Sequence, residues 1–150
     1  MAYTMKPLGC DPQHIRGMSE KLIVSHYQNN YGGAVKRLNL LAEQLAELDF
    51  NSASNFVING LKREELIATN SMILHELFFD GLGEESVPGN ELAARLACDF
   101  GSVERWRSEF IAMGKALAGG SGWLLLSWST RQTAREPVGS RSCHTLAGGQ

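Results

Sequence analysis

The stretch ATNSMILHELFF, residues 68–79, places a histidine in a segment whose other side chains after Ser71 are almost all apolar. His26 has the same setting in SEKLIVSHYQNNYGG, residues 19–33. Both stretches have the apolar spacing of buried helices. Histidines on two such helices can face each other in a helical core and hold a metal ion between them. The two stretches therefore predict a pair of neighbouring helices with a candidate metal site at His26 and His75.

A second interpretation treats both histidines as packing residues, whose ring nitrogens are satisfied by the backbone or by Tyr27. It is favoured for either histidine alone, and two ligands are fewer than the three that a catalytic metal usually has. The chain would then be a non-enzymatic helical binding or scaffold protein. Metal analysis of His26→Ala and His75→Ala variants separates the two hypotheses.

The segment HELFF begins like the HExxH motif of zinc proteases, which needs a second histidine four residues after the first. That position is Phe79, so the motif is incomplete and the chain is not predicted to be a zinc protease. Glu76 is accordingly predicted to be a solvated or helix-capping acid.

Composition excludes further classes. The chain has 150 residues and a formal net charge of −2, whereas a general nucleic-acid binder presents a basic face. It has no run of about 18 apolar residues that would predict a membrane span. The N-terminus lacks the pattern of a secretory signal, and the three cysteines form no CxxC pair. A cytoplasmic protein without a disulfide framework is expected.

Capping residues and breakers divide the chain into helices. Ser19 is predicted to cap a first helix that runs to about Leu45. Gly101 is predicted to end one helix and Ser102 to cap the next. The predicted helices cover 20–45, 61–79, 91–100 and 103–119, and residues 121–130 are predicted to form a strand.

The predicted fold class is α+β and mostly helical, with an N-terminal α-hairpin followed by an incomplete C-terminal α/β domain. Residues 1–83 are assigned to the helical-hairpin domain and residues 84–130 to the start of the α/β domain. Residues 131–150 show no hydrophobic period and are predicted to be an irregular tail.

Four stretches, in this order, resemble the iron/manganese superoxide dismutase family. CDPQHIRGMSEKLIVSHY, residues 10–27, is similar to the N-terminal arm and first ligand helix of that family. NSMILHELFFDGL, residues 70–82, is similar to its second ligand helix. DFGSVERWRSEF and GGSGWLLL, residues 99–110 and 119–126, resemble a turn with its following helix and the entry into the sheet. The resemblance covers roughly residues 3–130.

The resemblance implies an enzyme that converts superoxide to oxygen and hydrogen peroxide with iron or manganese. His26 and His75 fall on the first two metal ligands of the family, and Trp123 falls on the tryptophan that shields the metal pocket. Tyr27 and Asn30 are assigned to the pocket lining in the same way. A homodimer is also implied.

The chain departs from the family pattern near both ligands. Asn30 and Ala34 stand where the family has a histidine and a tyrosine that gate substrate and relay protons. Tyr31 is the candidate for a catalytic role, although an offset of one residue turns a helical side chain by about 100°. Leu74 replaces a polar asparagine before the second ligand.

The family's third and fourth ligands lie in an Asp-x-Trp-Glu-His segment that this sequence does not contain. Weak metal binding, little turnover and a doubtful homodimer are therefore expected of the chain as written. Residues from about 133 to 143 are hypothesised to reflect a local frameshift or sequence error, and the alternative is an unrelated irregular tail. Resequencing of the coding DNA distinguishes these two origins.

Overall fold

A computed structural model describes residues 2–117, 122–129 and 142–149. The chain divides into two compact units, Met1–Glu85 and Ser86–Gln150. The predicted boundary after residue 83 lies two residues before this division. Within the described ranges, no helix is long and apolar enough to cross a membrane.

The first unit begins with an N-terminal arm that contains a short 3-10 helix, Pro12–His14. Helix α1 covers Glu20–Ser25, a π-helix covers His26–Tyr31, and α2 covers Gly32–Glu47. Helix α3 covers Asn55–Asp80. The predicted N-terminal α-hairpin is confirmed by the pairing of α2 with α3.

Serine caps set where the helices begin. The Oγ of Ser19 accepts a hydrogen bond from the Leu22 amide at 3.2 Å, as predicted. Ser54 accepts one from Val57 at 3.4 Å, so α3 begins at Asn55 rather than near residue 61. The prediction that this helix begins only at residue 61 was wrong, because the serine at the N-cap compensates for the weak helix propensity of the residues that follow it.

The π-helix is a second difference from the prediction, which had an uninterrupted α-helix from Ser19 to Leu45. Its hydrogen bonds join residues five apart, so each turn takes in one residue more than an α-helical turn. Tyr31, five residues after His26, therefore returns to the inner face. Tyr31 is buried with an exposed fraction of 1%, while Asn30 is exposed.

The core of the first unit lies between the hairpin helices. Tyr31 is hydrogen-bonded to Glu76, and Arg37 forms an ion pair with Glu64. Residue numbers thus rise along α2 as they fall along α3, so the two helices run antiparallel. Burial of aliphatic and aromatic side chains on both helices is the main stabilising contribution. The buried apolar residues are Ile23, Tyr31, Ala34, Val35, Leu38, Leu41, Ala68, Met72 and Phe79.

The second unit contains helices α4, Asn90–Phe100, and α5, Val103–Ala116. Gly101 follows α4 with a positive φ of 90°, and the Ser102 Oγ caps α5 by accepting from the Arg105 amide at 3.0 Å. The left-handed conformation at Gly101 is one that glycine adopts without steric cost. Both boundary predictions are thereby met.

Strands β1, Gly122–Ser129, and β2, Ser142–Gly149, form an antiparallel pair in which Leu125 lies opposite Leu146. The prediction of an irregular segment over 131–150 was wrong for Ser142–Gly149. Hydrogen bonds to β1 make this segment a strand, although its own sequence has no alternating pattern. Residues 131–141 and residue 150 lie outside the described residues. The hypothesised frameshift over about 133–143 therefore overlaps the described residues only at 142 and 143.

Candidate metal centre

His26 and His75 come together inside the first unit. Their ring centroids are 4.9 Å apart, and the ring planes are inclined by 41°. His26 is the first residue of the π-helix, and His75 lies near the end of α3. The structure therefore brings the two predicted ligands close together from different helices.

One constraint on the orientation of the His75 ring comes from its own helix. Its Nδ1 lies 2.6 Å from the Ser71 carbonyl oxygen, one helical turn earlier. A carbonyl oxygen only accepts hydrogen bonds, so Nδ1 carries the proton and the lone pair of the neutral ring is on Nε2. Metal-binding histidines commonly have this arrangement, in which one nitrogen donates to the protein and the other faces the metal.

The His26 ring is half-buried. Burial is the main cause that lowers the pKa of His26 below its usual 6.5, and the nearby His75 ring lowers it further. A neutral imidazole is the form that binds a metal ion, because the protonated ring has no lone pair to give.

Aromatic rings surround the His26 side of the pair. The Phe78 and Phe79 centroids lie 5.6 and 5.7 Å from the His26 centroid. Tyr27, predicted to line the pocket, is half-buried with its ring 5.4 Å from that of Phe79. These rings keep water away from part of the space around the imidazoles.

Tyr31 packs beside the second histidine. Its ring is nearly parallel to the His75 ring, at 20° and 6.3 Å between centroids. Its hydroxyl donates to Glu76 Oε1 at 3.0 Å and accepts from the Lys6 amide at 2.9 Å. Burial is the main cause that raises the pKa of Tyr31 above its usual 10. The π-helix therefore places the Tyr31 side chain beside His75, although the sequence predicted that an offset of one residue would turn it away by about 100°.

Glu76 is not the solvated acid that was predicted. Its side chain is 17% exposed, accepts from Tyr31 and forms an ion pair of 3.1 Å with the Lys6 ammonium. The backbone carbonyl of Lys6 accepts a hydrogen bond of 2.6 Å from Tyr27. Sequence reasoning missed this network because Lys6 and Glu76 are far apart in the chain and neither belongs to a recognisable motif.

The histidine pair fits two positions of a metal's ligand set. Two imidazoles that share an ion at about 2 Å from each nitrogen, at roughly a right or tetrahedral angle, have centroids about 5 Å apart. The observed 4.9 Å agrees with this spacing. Within 2–117, 122–129 and 142–149, no group of three or more histidine, cysteine, aspartate or glutamate residues is placed to hold a metal.

Trp123, assigned to the pocket by resemblance, lies in β1 of the second unit opposite Gly148 and is half-buried. Its shielding role stays a prediction. Asn30 is exposed on the π-helix, and the buried position beside His75 belongs to Tyr31.

Known proteins are similar to this chain over most of its length. A family model described as the C-terminal domain of iron/manganese superoxide dismutases matches residues 88–141. An iron superoxide dismutase of Cupriavidus metallidurans is 61% identical over 150 residues, which cover 99% of this chain and 76% of that protein.

Two further relatives are less similar to this chain. Manganese superoxide dismutase 2 of Haloferax volcanii is 31% identical over 87% of this chain and 65% of its own length. Manganese superoxide dismutase 1 of Halobacterium salinarum is 32% identical over 91% of this chain and 68% of its own length. Because the Cupriavidus metallidurans enzyme is 61% identical over 99% of this chain, the chain belongs to the iron/manganese superoxide dismutase family.

Proposed function

We propose that the chain binds an iron or manganese ion through His26 and His75 and that its function is the disproportionation of superoxide. The observation that carries this proposal is the close pair of imidazoles, with centroids 4.9 Å apart. The relatives described above are named iron and manganese superoxide dismutases, which supports the choice of metal.

The reaction takes two superoxide anions and two protons to one molecule of oxygen and one of hydrogen peroxide. An iron or manganese ion held by His26 and His75 would supply the redox chemistry that couples the oxidation of one superoxide to the reduction of the other. The small anion is the substrate, and no nucleic acid takes part.

The chain's own residues prepare the site. The Nδ1–H of His75 donates to Ser71, which holds the ring with Nε2 available as a ligand atom. Burial lowers the pKa of His26, which favours the neutral ring that a metal ion needs. Phe78 and Phe79 exclude water from one side of the histidine pair. Electrostatic interactions are stronger where water is excluded, because the dielectric constant is lower there. Tyr31 remains the proposed candidate for a catalytic role.

The cellular setting is part of the proposal. Cys10 and Cys98 are free thiols, which is compatible with the predicted cytoplasmic location. The homodimer implied by the family resemblance stays a prediction, and sedimentation of the purified chain tests it. Reduced turnover is proposed for the chain as written, since the ligands that meet in the described residues are two imidazoles.

Metal analysis of purified variants tests the proposed site. Free iron and manganese also consume superoxide, so unbound ions must be removed before metal content and activity are measured. We expect His26→Ala and His75→Ala each to abolish metal binding. His14→Ala is the matched control, because His14 is 82% exposed in the arm and pairs with Asp11 rather than with the site.

The opposite outcome supports the scaffold hypothesis. If His26→Ala and His75→Ala bind as much metal as His14→Ala and lose only stability, both histidines are packing residues and the proposed metal site is wrong.

A further inference from the structure

The network of Lys6, Tyr31 and Glu76 joins the N-terminal arm to both helices that carry the histidines. Tyr31 belongs to the π-helix that begins at His26, and Glu76 directly follows His75 in α3. Tyr31 therefore contacts two successive residues of α3: its ring packs against His75, and its hydroxyl bonds to Glu76.

The Tyr31 hydroxyl is held from two sides. It donates to the Glu76 carboxylate at 3.0 Å and accepts from the Lys6 amide at 2.9 Å. A phenol fixed at its ring face and at its hydroxyl has little freedom to rotate or shift. The side chain that is held in this way is the one that lies parallel to His75.

Glu76 is distinct among the acids of the first unit. Of the ion-paired carboxylates that the structure describes there, its side chain is the least exposed, at 17%. A carboxylate at this depth needs hydrogen-bond and charge partners to offset its lost hydration. Tyr31 and Lys6 supply both, so the network is a specific arrangement rather than a solvated surface pair.

We propose that Glu76 is a positioning residue of the metal centre: through its bond to Tyr31, it fixes the aromatic ring that packs against His75 and thereby the orientation of that ligand. This inference rests on the proposed metal site at His26 and His75. Partners one step removed from a ligand commonly change metal affinity by roughly 10- to 100-fold when they are removed.

Cobalt(II) is a suitable probe, since the visible absorption of the bound ion reports the geometry of its ligands. The full chain is titrated with Co²⁺ to saturation, and the spectrum, the apparent dissociation constant and the thermal unfolding midpoint are recorded. We expect Glu76→Leu to change the Co²⁺ spectrum and to weaken binding roughly ten-fold. Glu76→Gln retains a hydrogen-bond acceptor and should recover most of both properties.

Two further variants separate positioning from stability. Tyr31→Phe removes only the hydroxyl, and we expect it to reproduce the spectral change of Glu76→Leu. The double variant should add little, because both changes break one interaction. Glu64→Gln is the matched control: it lies in the same helix and pairs with Arg37, away from both histidines. Its spectrum should equal that of the unmodified chain.

Two outcomes overturn the inference in different ways. If Glu76→Leu and Tyr31→Phe lower the unfolding midpoint but leave the spectrum and affinity equal to those of Glu64→Gln, the network is purely structural while the metal site stands. If the unmodified chain binds no Co²⁺ at all, the proposed function itself fails and the inference fails with it.

Discussion

The two histidines of the candidate site are held by different means. His75 lies in a regular α-helix, is 4% exposed and has its ring fixed by a bond to the carbonyl of Ser71 in the same helix. His26 is half-buried at the start of a π-helix and is positioned by neighbouring rings from α3. The ring of His75 is oriented by a bond within its own helix and by the packed ring of Tyr31, whereas His26 has only rings from the other helix around it among the contacts described above.

This difference indicates where the site is robust and where it is sensitive. The bond from His75 to Ser71 is local, because its two partners are four residues apart in α3. The His26 position also depends on the π-helix and on the arm, whose residue Met5 lies close to Gly32. π-Helical segments occur frequently at functional sites, where they bring side chains to positions that an α-helix does not reach.

The largest expected effect comes from replacing each histidine by alanine, because the two side chains differ in burial. In the metal-free protein, His75→Ala should lower the free energy of unfolding by about 2–3 kcal/mol, because it opens a cavity in the core and removes a buried hydrogen bond. His26→Ala should cost roughly 1 kcal/mol, since half-exposed groups contribute less. Urea unfolding of the two variants measures both values. Equal losses would show that the π-helical segment is as tightly packed as α3.

A smaller effect concerns two adjacent glycines at the start of α2. A Cβ added at Gly33 meets nothing within 4 Å, whereas one at Gly32 would lie 3.1 Å from the Met5 sulfur. Gly33→Ala should therefore raise the free energy of unfolding by about 0.5–1 kcal/mol through helix propensity. Gly32→Ala should gain less, because Met5 and the arm must shift.

Thermal unfolding of both alanine variants tests this contrast, and hydrogen exchange of the arm shows where the shift occurs. If Gly32→Ala stabilises the protein as much as Gly33→Ala, the arm is not closely packed on the start of α2. The position of His26 would then not depend on the arm.

Much of the first unit could be predicted from local sequence. The cap at Ser19 and the leucine spacing of α2 are local signals. The facing of His26 and His75 followed from histidines placed on two apolar helices. Local signals suffice here because hairpin packing is governed by which helix face is apolar.

Other features depend on interactions that a sequence pattern does not encode. The π-helix differs from an α-helix by one residue in its hydrogen-bond register, and its side chains carry no distinct pattern. The bond from Tyr31 to Glu76 joins residues 45 apart in the chain. Strand β2 is set by pairing with β1 rather than by alternation in SCHTLAGG. These features required the structure.

The smallest expected effect concerns the dependence of stability on pH. Burial, with a further contribution from His75, lowers the pKa of His26 in the folded protein below its usual 6.5. As pH falls below 6.5, the unfolded chain takes up a proton at His26 before the folded protein does. The stability due to the neutral ring is therefore present above pH 6.5 and is lost as pH falls toward the folded pKa.

Replacement of His26 by glutamine removes this titration and keeps a neutral polar side chain. In the metal-free protein, the unfolding free energy of the unmodified chain should fall more steeply below pH 6.5 than that of His26→Gln, as measured by urea unfolding at a series of pH values. Parallel curves would mean that His26 takes up its proton equally readily in the folded and unfolded states. The ring would then be open to water, and packing by Phe78 and Phe79 would not be what keeps it neutral for a metal ion.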